Sequence, residues 1–212
     1  MCPKVTLQYK LEIRNRIVRA AIECFSITGF DKTRMDDIAE RAGLSKGTLY
    51  LYFRNKEELF YAICQISILD LNEQMSKLFK RKEDLGSDAE KFFINFRRSS
   101  RKRDRVFMET VAEASRNPKL CKVLFEHRTN IFHLVSKYLS QQVEKGYFKS
   151  DIDVKAISAG LVALYDGLTI NMLLGMNETA NRKIWTEMIA ALCAGIGQIQ
   201  EFIPSSDYKN QI

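Results

Sequence analysis

A chain of 212 residues that is 46% hydrophobic and 28% charged can bury a sizeable core. This composition excludes a disordered polymer, a collagen-like repeat and a disulfide scaffold. With 33 Lys and Arg against 26 Asp and Glu, the net charge is +7. That excess favours an acidic partner such as nucleic acid without defining a function.

Proline stands only at positions 3, 118 and 204, so residues 4–117 and 119–203 are free to be helical. Strand-type alternation is absent, and the expected fold class is all-α. Cys2, Cys24, Cys64, Cys121 and Cys193 are scattered and form no Cys-x-x-Cys pair. Such usage fits a reducing compartment and a cytoplasmic chain. The first 20 residues lack the apolar stretch of a signal peptide. Residues 156–176 are apolar, but Asp166 in mid-helix would cost about 3 kcal/mol in a bilayer, so no membrane partner is expected.

The first helix is expected over residues 8–28, with Leu11, Ile13, Ile17, Ala20, Ala21, Cys24 and Phe25 forming its apolar stripe and Gly29 ending it. Thr33 to Asp36 reads as a capping box, which starts a second helix at Thr33 and carries it to Ala42-Gly43. Ser45 caps a two-turn helix over 46–52, and Asn55 caps a long helix after it. Helices this short must be held by their neighbours.

Thr33 to Phe53 has the spacing of a helix-turn-helix: small Ala39 at the crossing, Gly43 for a positive-φ turn, Leu44 and Leu49 in the corner. Ser45 sets the start of the second helix at the surface, where Lys46, Thr48, Tyr50 and Tyr52 can reach phosphates or base edges. Gly47 lets the backbone come close to a duplex.

Residues 8–62 closely resemble the DNA-binding domain of the TetR family of bacterial transcriptional regulators. The resemblance rests on Ala20-Ala21, Phe25 and Gly29-Phe30, then on the run from Ile38-Ala39 through Ala42-Gly43-Leu44-Ser45-Lys46-Gly47-Thr48-Leu49-Tyr50 to Tyr52-Phe53, and on Asn55 to Leu59. It implies that the Ser45–Tyr52 helix reads DNA, with Tyr50 and Tyr52 touching backbone or bases. By the same resemblance Thr33 and Lys56 take phosphate-clamp positions, and Arg34 and Thr48 are the base readers.

Beyond residue 80, Gly86-Ser87-Asp88 should break the chain and recap a helix from 88, followed by another near 104–115. Asn117-Pro118 opens the next helix, to Gly146; Asp151 or Asp153 opens one to Leu174, and Asn181 the last, to Phe202. About nine helices result. The expected boundaries are a DNA-binding domain at 8–56, with its helix-turn-helix at 33–53, a ligand-binding and dimerising domain at 57–203, and a frayed tail at 204–212.

The basic run Arg97, Arg98, Arg101, Lys102, Arg103, Arg105 reads first as a solvated inter-helix loop, with an anionic effector or DNA-backbone contact as alternatives. Cys121, His127 and His133 are spaced six residues apart, so successive side chains turn about 240° and cannot share a metal. No catalytic or cofactor motif is present, and neither enzyme activity nor a cofactor is expected.

Phe92, Phe96, Phe107, Val111, Phe132 and Tyr165, with Arg128, His133 and Asp166 as polar groups, are candidates for an effector pocket. Leu161, Leu164, Leu168, Met188, Leu192, Ile196 and Ile199, among small residues, are candidates for a four-helix dimer interface; alternatively they close the monomer core. The whole reads as a homodimeric regulator, most often a repressor in that family. It would bind a near-palindromic double-stranded operator and answer to a small-molecule effector. The rival reading is a helical small-molecule or lipid carrier.

Overall fold

A computed structural model describes residues 6–78 and 84–197. Among these the chain forms eight helices: α1 Leu7–Thr28, α2 Met35–Arg41, α3 Lys46–Tyr52, α4 Lys56–Lys77, α5 Leu85–Ala114, α6 Pro118–Glu144, α7 Val154–Leu173 and α8 Glu178–Ile196. The all-α fold class is as expected, with one helix fewer. The two helices expected around 88 and 104–115 are one continuous α5, because the repulsion along its basic run is neutralised by acids. Arg97 pairs with Asp104, and Arg103 Nη2 lies 2.5 Å from Asp70 Oδ2 on α4. Both arginines are buried. The run is therefore no loop: its inward members brace α5, and Arg98, Arg101, Lys102 and Arg105 face outward.

The caps explain most boundaries. The side chains of Thr6, Ser45, Asn55, Asn117 and Asp153 each accept a backbone N–H from the first turn that follows. Three starts differ from expectation. Helix α2 begins at Met35 because the Arg34 N–H donates to Asp37 Oδ2 at 2.8 Å, one position after the expected box. Helix α5 begins at Leu85, before the Gly86-Ser87 signal. Helix α8 begins at Glu178 under the cap of Asn177, and Asn181 lies fully buried inside it. The expected tail 204–212 and Ile199 lie outside the described residues.

Helices α1 to α4 share one core in which Ile17, Phe25, Ile38, Leu49, Leu59, Phe60 and Ile63 are fully buried. Complete burial of each such side chain contributes about 1.5–3 kcal/mol. Gly43, at φ 62°, makes the tight turn that delivers Leu44 and Leu49 to the corner between α2 and α3. The core continues without a seam into Val106 of α5 and Leu120 of α6. A second cluster gathers Ala89, Phe93, Leu168, Trp185 and Ile189, and a third Leu139, Phe148 and Ile196.

Among the described helices, α7 is long and apolar enough, by length and composition, to cross a membrane. Two protein faces account for its apolarity. One lines an interior cavity, and the other is bare.

Candidate nucleic-acid interface and interior cavity

Helix α3 buries one side only. Leu49 is its anchor, while Lys46, Gly47, Tyr50 and Leu51 are exposed, Tyr50 to 42% and Leu51 to 84%. Ser45 Oγ accepts from the Thr48 N–H at 3.1 Å and lies 2.8 Å from the Thr48 hydroxyl. Lys46 Nζ sits 2.9 Å from Asp36 Oδ2, so it ties α3 to α2 while remaining open to solvent.

A Cβ placed on Gly47 would meet nothing within 4 Å. Among the described residues nothing requires glycine there, although glycine inside a helix costs up to about 1 kcal/mol against alanine.

Leu51 went unnoticed in the sequence because a leucine between two tyrosines reads as core. Its exposure follows from period: two positions from buried Leu49, it faces away from it. Tyr52 is half-buried against the core, and Arg34 projects from the start of α2.

Thr33 and Lys56 are engaged within the chain. Thr33 is 2% exposed, and its hydroxyl lies 2.6 Å from both the Gly29 carbonyl and Thr28 Oγ1. Its hydroxyl fixes the turn before α2 instead of standing free for a phosphate. Lys56 Nζ donates to the carbonyls of Phe30 and Asp31, both at 2.7 Å, above the Phe30 ring. That ammonium fastens α4 to the same turn, which positions the head.

Between α4, α5, α6, α7 and α8 lies a cavity of about 660 Å³, within the range of small-molecule sites. Seven of the nine candidate pocket residues line it: Phe92, Phe96, Phe107, Val111, Arg128, Tyr165 and Asp166. Phe132 and His133 do not; their rings stand against each other, 5.7 Å apart, outside the wall. His127 takes the place expected for His133. Its ring stacks on Phe107 at 4.5 Å, and burial, reinforced by the neighbouring Arg128 charge, lowers its pKa to about 4. The imidazole is neutral at physiological pH.

Two acids on the wall are matched by arginines. Asp104 accepts from Arg97, from the Ser100 hydroxyl at 2.8 Å and from the Tyr165 hydroxyl at 3.3 Å. Asp166 pairs with Arg128. Burial still raises both carboxyls above the usual carboxylate range, and it raises the Tyr165 phenol as well.

Cavity and head are joined by rings. His127 stacks on Phe107; Phe107 meets Phe60 at 5.4 Å, Phe60 meets Phe30 at 6.0 Å, and Phe30 meets Phe25 at 5.1 Å. The first two line the cavity, and the last three belong to the core under α2 and α3.

The expected interface residues divide. Leu168 and Ile196 are buried in their own chain, Leu161 and Leu192 line the cavity, Leu164 packs by Trp185, and Met188 is exposed. The bare faces carry Ala156, Ala159, Gly160, Ala163, Gly167 and Ile170 on α7, with Ile184, Met188 and Ala191 on α8. Most of the large residues went to the chain's own interior, and small ones dominate the outer face of α7, with Ile170, Ile184 and Met188 exposed among them.

A helix-turn-helix head on a long-helix body with an internal cavity is the architecture of a DNA-binding protein that can also hold a small molecule. Residues 17–63 match the family described as bacterial regulatory proteins, tetR family, and residues 92–194 match the BetI-type transcriptional repressor C-terminal domain. The chain is 29% identical over 188 residues to the uncharacterized HTH-type transcriptional regulator YfiR of Bacillus subtilis, covering 85% of this chain and 90% of that one. It superposes on Salmonella enterica GusR with a TM-score of 0.73 at 24% identity, covering 90% and 99% of the two chains. It also superposes on Bacillus subtilis FadR, solved in complex with stearoyl-CoA, with a TM-score of 0.67 at 22% identity, covering 86% and 98%.

The chain belongs to the TetR family of transcriptional regulators. It is a DNA-binding regulator, not an enzyme.

Proposed function

We propose that this protein is a cytoplasmic homodimeric repressor that leaves its operator when a small apolar or amphipathic molecule fills the cavity. The observation that carries this reading is the unbroken ring contact from the cavity wall, Phe107 and His127, to the core beneath α2 and α3. A ligand that displaces Phe107 must also displace the packing that holds α3. The head is taken as residues 8–56 and the ligand-binding, dimerising body as the chain from 57, with α4 spanning both.

The DNA surface is assigned to Arg34, Ser45, Lys46, Gly47, Thr48, Tyr50 and Tyr52, with Leu51 added; Thr33 and Lys56 hold that surface in place. Leu51 suits apolar contact with a thymine methyl. Pairing the bare faces of α7 and α8 across a two-fold axis would bring two α3 helices to one duplex, whose successive major grooves require them about 34 Å, or a small multiple of a turn, apart. The small residues permit close approach there.

The test is gel-shift titration on operator DNA recovered by selection, together with sedimentation. Tyr50→Ala and Lys46→Ala are expected to weaken binding about 5- to 100-fold without changing the dimer. Unchanged affinity in both variants would sink the assignment of α3. The carrier reading predicts no salt-dependent, sequence-selective DNA binding, and it leaves the exposed α3 face unexplained.

A further inference from the structure

The polar groups around the cavity are unequally served. At Asp104 every interaction is answered from within the chain: a guanidinium, a serine hydroxyl and a tyrosine hydroxyl converge on one carboxylate. Asp166 at the lip is answered by Arg128, whose side chain is half in solvent. Among the described residues, Asp104, Arg128 and Asp166 are the charged ones on the wall, and with Arg97 behind Asp104 their charges cancel, so none of these leaves a charge over for an ionic head group.

Two other groups on the same wall are unanswered. His127 is 6% exposed and Thr169 is 2% exposed, yet His127 Nδ1 and Thr169 Oγ1 have no hydrogen-bond partner. A buried polar atom without a partner is costly. A threonine in a helix can satisfy its hydroxyl on the carbonyl one turn back, as Thr110 does on Val106 at 2.9 Å, and Thr169 does not. The two sit next to the two halves of the lip ion pair: His127 adjoins Arg128, and Thr169 is three residues from Asp166 on α7. Both residues line the cavity, His127 from α6 and Thr169 from α7. The rest of the wall is apolar and aromatic, with Phe92, Phe96 and Trp185 stacked along it.

We propose that the effector is an uncharged amphiphile: an apolar body lying along Phe92, Phe96 and Trp185, and one neutral hydrogen-bonding head, such as a hydroxyl or amide, seated between His127 and Thr169. An anionic or cationic head would have to enter a wall whose charges are already paired, and its own charge would go uncompensated. The imidazole, neutral in its buried setting, can accept a hydrogen bond from such a head or donate one to it. This inference rests on the reading of the cavity as the effector pocket.

The experiment uses the sole tryptophan, Trp185, which lines the cavity and reports its filling by fluorescence. Dodecanol, dodecanoate and dodecyltrimethylammonium are titrated into the full chain below micellar concentration. Dodecanol is expected to shift Trp185 emission with an affinity at least about tenfold higher than either ion. Thr169→Val and His127→Phe, which keep volume and ring stacking, should each weaken dodecanol about fivefold and leave the ions unaffected. Tighter binding of either ion, or unchanged dodecanol affinity in both variants, overturns the assignment of a neutral head while the pocket itself stands. No response to any of the three overturns the pocket reading as well.

Discussion

Replacing Gly47 by alanine separates what the fold needs from what DNA binding needs. The position is helical and exposed, and an added Cβ meets no atom within 4 Å. The substitution removes the conformational entropy that glycine carries into a helix and introduces no clash, so the fold should gain about 0.5–1 kcal/mol. For a chain of this size that is a rise of about 1–4 °C in Tm, measurable by calorimetry at fixed protein concentration. The methyl group stands between the α3 backbone and any duplex on that face. Operator affinity should therefore fall, by about tenfold if one close contact is lost. Stability and affinity would move in opposite directions. A variant that is stabilised and binds as before would refute the idea that the α3 backbone at Gly47 closely approaches DNA. A destabilised variant would refute the described surroundings of the glycine.

Phe60 is fully buried between two rings, so Phe60→Ala should cost about 3–5 kcal/mol in guanidinium unfolding; a loss below about 1 kcal/mol would contradict its place in the ring stack. His127, with its pKa lowered from 6.5 to about 4, stays neutral in the fold where the unfolded chain takes up a proton. Stability should therefore fall as pH falls through that window, by roughly 3 kcal/mol in all. Asp104 and Asp166, raised by burial, act in the opposite sense, so the measurement is the difference between wild type and His127→Phe; superimposable pH profiles would count against the assignment. Met188 is 51% exposed on the bare face of α8, and Met188→Lys should shift sedimentation toward monomer with little loss of helical signal.

The DNA-binding head was legible because its determinants are local. A cap, a positive-φ glycine and a short apolar period each act within a few residues, and Ser45, Gly43 and Leu49 stand where those rules put them. The body was less legible because its determinants are distant. Nothing near Arg103 in sequence discloses Asp70, 33 positions away, and without that acid the basic run reads as a loop. His127 and His133 both look like polar residues on one helix. Only the packing of α5 against α6 decides that the first stacks on Phe107 and the second faces outward. The interface candidates divided for a related reason: periodicity finds apolar stripes, yet cannot tell which stripe the monomer keeps for itself.

Helix α4 joins the two regions as one rod. Its first residue, Lys56, is fastened to the turn before α2, and Ser67, Leu71 and Met75 farther along it line the cavity. Twenty-two residues make a rod of about 33 Å, so a pivot of about 6° at the cavity end carries the other end roughly 3 Å, close to one base-pair step. On the proposed reading, a ligand need only lean on the rod for the paired reading heads to fall out of phase with the groove.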